Sequence, residues 1–155
     1  MEQAAPWQRP RLIRDLGIAS FVNTGLFTVV YGMGLLFAAG VQRMPYADFE
    51  AMMLPQMRLY AGGEPDAVML EMMGILHAHG TALMGLMLLR TLGRLVGVLG
   101  MWNGRYWGFT VYAVAQLAGI FLPHVVLPWK FLGLGGPLLA MGMTALYGTQ
   151  RNSLR

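Results

Sequence analysis

Four long apolar stretches cover most of this 155-residue chain. They run over residues 16–40, 68–89, 107–127 and 131–147. Each is close to the roughly 20 residues that a helix needs to cross the hydrocarbon core of a bilayer. A water-soluble helix would carry a polar stripe along one face, and these stretches do not. The sequence therefore predicts an all-α integral membrane protein, a single-domain four-helix transmembrane bundle.

The basic residues outside these stretches are sorted by side. Eight fall on the side of the two termini, and only Arg43, Arg58 and Lys130 fall on the other. Short cytoplasmic loops are enriched in Lys and Arg, so we expect both termini in the cytoplasm. The eight are Arg9, Arg11 and Arg14 before the first span, Arg90, Arg94 and Arg105 in the connector between the second and third spans, and Arg151 and Arg155 after the fourth.

The loop over residues 41–67 is the only long one, and the charge rule places it outside. Between Tyr46 and Tyr60 its apolar residues recur at spacings of three and four, which predicts an amphipathic helix that Pro55 would kink or restart. We expect this segment to lie at the interface over the outer mouth of the bundle. Asp66 is suited to cap the helix that follows.

Composition narrows the classes of function. The chain has no cysteine, which excludes disulfides, thiolate metal sites and a cysteine nucleophile. The net charge of +4 comes from arginines at helix ends. Membrane lipids, through their phosphates, are therefore the expected partners, and nucleic acid is not.

Five polar side chains in or near the predicted spans are the candidate site residues. At a rise of about 1.5 Å per residue, Glu71 and His124 lie near the outer face, His77 and Gln116 lie near the middle, and Tyr31 lies between these levels. As contacts between helices, Glu71 would pair with His124 and His77 with Gln116. Alternatively, the same groups line a cavity that binds a lipid-like or quinone-like molecule.

Two further interpretations use some of the same residues. His77, His79 and Met73 are candidate ligands for Cu(I), which imidazole and thioether groups suit. Residues two apart on a helix point about 200° apart, so His77 and His79 do not face one ion, and we assign no metal. Acid–base chemistry on a lipid or quinone by a buried Glu or His is the other alternative.

The segment GVLGMWNGRYWG at residues 97–108, followed by Phe109, Tyr112 and Gln116, resembles the inter-helix signature of small four-span bacterial membrane proteins of the broad DoxX-like group. The resemblance covers the second half of the chain. It implies a four-span fold in the bacterial inner membrane, and members of that group have been linked to oxidoreductase or accessory-subunit roles. No catalytic motif accompanies it here.

The expected function is that of a small, non-enzymatic membrane protein. It would act as an accessory subunit, or bind a lipid-like or quinone-like molecule in the outer half of the bundle. A membrane-embedded enzyme acting on a lipid or quinone, and a Met/His copper-binding protein, are the alternatives. Other membrane subunits or further copies of the chain are the expected protein partners.

Overall fold

The computed structural model describes residues 9–155, and the regular structure in that range is helical. The five α-helices are α1 (Arg11–Val41), α2 (Tyr46–Ala61), α3 (Ala67–Trp102), α4 (Tyr106–Phe121) and α5 (Gly135–Gly148). Three short 3₁₀ turns accompany them, at Leu122–Val125, Trp129–Phe131 and Arg151–Ser153.

Three helical segments are long and apolar enough to cross a membrane. They are α1, α3 and the continuous stretch Tyr106–Val125, which joins α4 to its 3₁₀ turn. Their outward surfaces are apolar: Val22 is 69% exposed and Leu36 is 76% exposed. Large contiguous apolar surfaces of this kind are typical of proteins embedded in lipid. The helix α5 has 14 residues and a length of about 21 Å.

The helix α3 is longer than the predicted second span. It has 36 residues, a length of about 54 Å, and continues past Leu89 without a break. No proline interrupts it, and leucine and arginine are good helix formers. The expectation that Arg90 and Arg94 lie in a connector is therefore wrong, because both lie within α3.

Glycines let α3 and α4 pack at close range as an antiparallel pair. A Cβ added at Gly97 would lie 2.5 Å from the backbone nitrogen of Tyr112. One added at Gly100 would lie 2.6 Å from the Cα of Gly108. Small residues at such positions are the usual means by which helices in membranes approach each other. This close pairing brings the cavity-facing residues of the two helices together.

The helix α1 runs antiparallel to α3 along most of its length. Gly17 lies against Trp102 at one end, and Ala38 lies against Gly80 toward the other. The main helix contacts are thus α1 with α3, α3 with α4, and α4 with α5, whereas α1 and α5 share far less contact. The bundle is therefore less closely packed along the side between α1 and α5.

The predicted amphipathic helix is present as α2 and continues through Pro55. Phe49 is 1% exposed, and Met53 and Met57, one and two turns further on, pack around it. These side chains meet Met73 of α3. The predicted cap is also confirmed, since the Asp66 carboxylate accepts a hydrogen bond from the backbone N–H of Met69 at 2.8 Å.

A candidate ligand cavity between the helices

The exposed apolar surface of α1 marks the depth of the polar residues. It extends from Ile18 to Phe37, a rise of about 29 Å, which matches the thickness of a bilayer's hydrocarbon core. Asn23, Phe27 and Tyr31 fall inside this stretch, on the face toward α3. Whatever these residues contact therefore lies at the depth of the lipid chains.

Two arginines of α3 face this part of α1 and α4. The Arg94 guanidinium donates through Nη2 to Oδ1 of Asn23 at 3.1 Å, and that of Arg90 donates through Nη2 to Oε1 of Gln116 at 3.2 Å. Both arginines are partly buried, and Gln116 is 2% exposed. Residues four apart on a helix share one face, so the two positive charges lie one turn apart.

Gly119 of α4 gives Arg90 its position. A Cβ added at Gly119 would overlap the Nε, Cδ and Cζ atoms of the Arg90 side chain. The guanidinium therefore lies directly on the backbone of α4, one turn beyond Gln116. The absence of a side chain at this position is what allows Arg90 to reach the Gln116 amide.

A cavity of about 370 Å³ lies in front of the two arginines. Its walls come from α1, α3, α4 and α5. The cavity lies on the side of the bundle where α1 and α5 make little contact with each other. The cavity is therefore open toward the exterior between these two helices. Its polar lining comprises Ser20, Asn23, Tyr31, Arg90, Arg94 and Gln116, and its apolar lining includes Phe27, Leu139, Ala140 and Met143.

Two buried tyrosines lie next to the inner part of this cavity. The hydroxyls of Ser20 and Tyr147 are hydrogen-bonded at 3.0 Å, which links α1 to α5. The ring of Tyr147 meets that of Tyr112 edge to face, with centroids 4.8 Å apart. The Tyr112 hydroxyl and the Nε atoms of Arg90 and Arg94 are buried without a hydrogen-bond partner among residues 9–155.

The arginines have no acidic partner in the described part of the chain. Its ion pairs are Arg14–Asp15, Arg58–Glu64 and Lys130–Glu71, all on exposed side chains. The sequence explains this, because residues 16–47 and 72–155 contain no Asp or Glu at all. These two segments supply every wall of the cavity. The positive charge of Arg90 and Arg94 is therefore not balanced by any side chain around them.

The structure brings together only two of the five predicted site residues. Tyr31 and Gln116 line the same cavity. Glu71 lies toward the outer end of α3, where it forms an ion pair with Lys130 rather than with His124. His77 bonds through Nε2 to the backbone carbonyl oxygen of Met44 at 3.0 Å, not to Gln116.

The depths estimated for these residues explain the wrong pairings. A second span over residues 68–89, with depth counted inward from Asp66, puts His77 near the middle of the bilayer. Because α3 is 36 residues long, His77 instead lies beside the turn that follows α1, between the rings of Tyr46 and Phe49.

His124 lines a second, outer crevice of about 340 Å³. Its ring stacks on Trp129 with centroids 4.4 Å apart, and its Nδ1 lies 3.2 Å from the carbonyl oxygen of Leu127. Arg90 and Gly136 line both this crevice and the cavity. The Arg90 side chain therefore separates the two spaces.

The candidate copper ligands differ in their surroundings. His79 is exposed, while Met73 is buried under α2 with 2% of its surface exposed. Across residues 9–155, no group of three or more His, Cys, Asp or Glu side chains is arranged to hold a metal ion.

The cavity's most distinctive residues were not among the predicted site residues. The pattern of basic residues assigns Arg90 and Arg94 to a connector, and the sequence alone does not single out Ser20 and Asn23 as ligands. A signal was present in the sequence: two arginines four apart, between apolar residues, with no proline or acidic residue on either side. Besides a connector, such a pattern fits a helix that continues through both arginines and places their side chains inside the bundle.

Comparison with known proteins adds no assignment. No family model, curated protein or solved structure matches this chain.

Proposed function

We propose that this protein is a multi-pass protein of the bacterial plasma membrane that binds an amphiphilic, lipid-like or quinone-like molecule in the cavity in front of Arg90 and Arg94. The observation that carries the proposal is a polar cavity at the depth of the lipid chains, open between α1 and α5. A molecule dissolved in the bilayer can enter such a site laterally, between the helices. The volume of the cavity falls within the roughly 300–1,000 Å³ usual for small-molecule sites.

The chemistry of the lining supports binding more than structural packing. Arginines in the hydrocarbon region are costly and normally pair with other groups. Here each donates to a neutral amide oxygen and, among residues 9–155, has a buried Nε–H without a hydrogen-bond partner. Structural contacts between helices alone would be satisfied by Asn and Gln without any charge. The proposed site is deeper than the outer-half location expected from the sequence, because its α1 lining runs from Ala19 to Tyr31 of a helix that extends to Val41.

The proposal includes four spans, with α5 and the turns before it as the fourth, and cytoplasmic termini. Two of the eight inner basic residues, Arg90 and Arg94, lie inside the bundle, so six remain against three on the outer side. The asymmetry still favours the same orientation. The two ends of the described chain also meet at one end of the bundle, since Arg9 donates to the carbonyl of Trp102 and Arg155 pairs with Gly104.

The test is to identify what the protein carries from its own membrane. We would purify it in a mild uncharged detergent and record native mass spectra together with extracted small molecules. A stoichiometric amphiphile is expected on the unmodified protein, and it should be lost in the double variant Arg90→Gln/Arg94→Gln. The matched control is Arg43→Gln, which removes a charge from an exposed side chain.

A protein subunit that co-purifies in place of a small molecule would contradict the binding proposal and favour an accessory role. The exposed face of α1 would suit such a contact, since a Cβ at Gly25 or Gly32 would meet nothing within 4 Å.

A further inference from the structure

We infer that the group bound between Arg90 and Arg94 is an oxyanion, a carboxylate or phosphate, at the head of an amphiphile whose alkyl chain leaves between α1 and α5. This inference rests on the proposed function and names the class of ligand. It is carried by two independent features of the cavity, its excess of hydrogen-bond donors and its unbalanced charge, and by the apolar side of its lining.

Hydrogen-bond donors outnumber acceptors in the lining. The acceptor oxygens of Asn23 and Gln116 are each already used by an arginine. Both amide NH₂ groups and both guanidinium Nε–H groups are donors, and guanidinium has no acceptor atom. The hydroxyl of Ser20 already bonds Tyr147. Apart from the Tyr31 hydroxyl, the lining thus offers a ligand mainly donors. This favours a ligand that brings acceptors, and an oxyanion brings the most acceptors for its size.

The charge of the cavity leads to the same class of ligand. Arg90 and Arg94 repel each other one turn apart, and the weak dielectric screening at this depth strengthens that repulsion. The segments that form the walls contain no carboxylate. An anion between the two side chains would replace the repulsion with two attractions. Guanidinium also has the planar fork that matches carboxylate and phosphate oxygens in pairs.

The remaining lining defines the rest of the ligand. Leu139, Ala140 and Met143 of α5 and Phe27 of α1 form the apolar side of the cavity, toward the gap between these helices. Beyond that gap the outer surfaces of both helices are apolar, as at Leu26 and Leu138. An alkyl chain attached to the bound head group would pass over these surfaces into the bilayer.

The experiment compares ligands that differ only in their head group. The full-length protein in an uncharged maltoside detergent is titrated with palmitate, methyl palmitate, a lysophosphatidic acid of the same chain length, acetate and inorganic phosphate, and complexes are counted by native mass spectrometry. At least one of the two acidic amphiphiles is expected to bind roughly tenfold or more tightly than the ester, because charged hydrogen bonds are the stronger kind. Arg90→Gln and Arg94→Gln should each remove this preference, while Arg43→Gln should keep it.

The outcomes separate this inference from the proposed function. If the ester binds as tightly as the acids and still requires the arginines, the anion inference is wrong and the binding function stands. If none of these amphiphiles binds the unmodified protein, and the protein from its own membrane carries no small molecule either, the proposed function itself fails. Acetate or phosphate binding as tightly as the amphiphiles would rule out a role for the chain, and unchanged binding in both Gln variants would place the ligand elsewhere.

A variant that fails to fold would not leave the inference untested. The comparison of acid with ester uses the unmodified protein alone. Arg90→Lys and Arg94→Lys keep the charge and remove only the planar fork. We expect them to retain the preference for acid over ester with weaker binding, and a lost preference would contradict the role of charge.

Discussion

Arg90 of α3 lies across Gly119 of α4, with its guanidinium against the helix backbone where a side chain would otherwise stand. One turn away, the same guanidinium donates to Gln116. The cavity therefore depends on a residue that contributes no functional group. Gly119 therefore leaves room for the charged side chain of Arg90, whereas glycines in transmembrane helices usually permit close packing of the helices themselves.

The substitution Gly119→Ala should disrupt the cavity while leaving both arginines in the chain. The added methyl group occupies the place of the Arg90 side chain, so the guanidinium must move away from Gln116. We expect ligand binding to fall by roughly tenfold or more, since misplacing one charged group loses its hydrogen bonds. Native mass spectrometry of the ligand complex provides the measurement.

The matched control is Gly142→Ala. Gly142 lies within α5, and a Cβ there would meet nothing within 4 Å. Alanine is the better helix former by roughly 1 kcal/mol, so this variant should be as stable as the parent or slightly more stable, with binding intact. Equal binding by Gly119→Ala and the parent would mean that the contact between Arg90 and Gln116 is not needed for the ligand.

The contact between Gly97 and Tyr112 predicts a larger loss of stability. A Cβ at Gly97 would lie 2.5 Å from a backbone atom of α4, which cannot move aside as a flexible side chain can. The variant Gly97→Ala must push α3 and α4 apart, at a cost of about 1–3 kcal/mol. Thermal unfolding in detergent should show a lower midpoint, whereas Gly25→Ala on the open face of α1 should not.

The helical elements of the fold were predictable because their signals are local. The cap at Asp66 and the amphipathic pattern of α2 each depend on a few neighbouring residues. The end of α3 was not predictable in the same way. Hydropathy falls at Arg90, but backbone hydrogen bonding continues to Trp102, because α1 and α4 supply polar partners for the arginines.

The site was harder to predict because it depends on register between helices. Gln116 and Tyr31 were selected for being polar and buried, and both do line the cavity. The partners of these two residues depend on which turn of α3 lies opposite them. An error in the predicted length of α3 therefore shifts every predicted contact between α3 and its neighbours. Glu71 and His77 consequently lie toward the outer end, next to Lys130 and Met44.

Phe49 should hold α2 against the bundle. It is 1% exposed and lies among Val41, Met53, Met57 and Met73. Removing such a buried ring costs about 3–5 kcal/mol. We expect this loss to exceed the free energy that holds the 16-residue helix α2 against the bundle. In Phe49→Ala we expect α2 to detach, so that trypsin cuts after Arg58 much faster. Met52→Ala, at a side chain of α2 that is 43% exposed and away from the cleaved bond, is the control and should be cut at the parent rate.

The proposed orientation predicts which loops reach the cell exterior. The chain contains no cysteine, so a single introduced thiol reports its own position. Gly63 lies in the turn between α2 and α3, where a Cβ would meet nothing within 4 Å, and Asn152 is exposed beyond α5. Because the six basic residues on the side of the termini favour the cytoplasm, Gly63→Cys should react with a membrane-impermeant maleimide in spheroplasts.

Asn152→Cys should react only after the membrane is opened, since the turn that contains it lies at the opposite end of the bundle from α2. The same reagent on both variants makes each the control for the other. Reversed labelling would mean that the orientation is opposite to the proposed one, with the three outer basic residues in the cytoplasm. Labelling of both sites in intact spheroplasts would mean that the chain crosses the membrane an even number of times between them. In that case α3 and the stretch Tyr106–Val125 would make the two crossings, and α5, which has 14 residues, would not span the membrane.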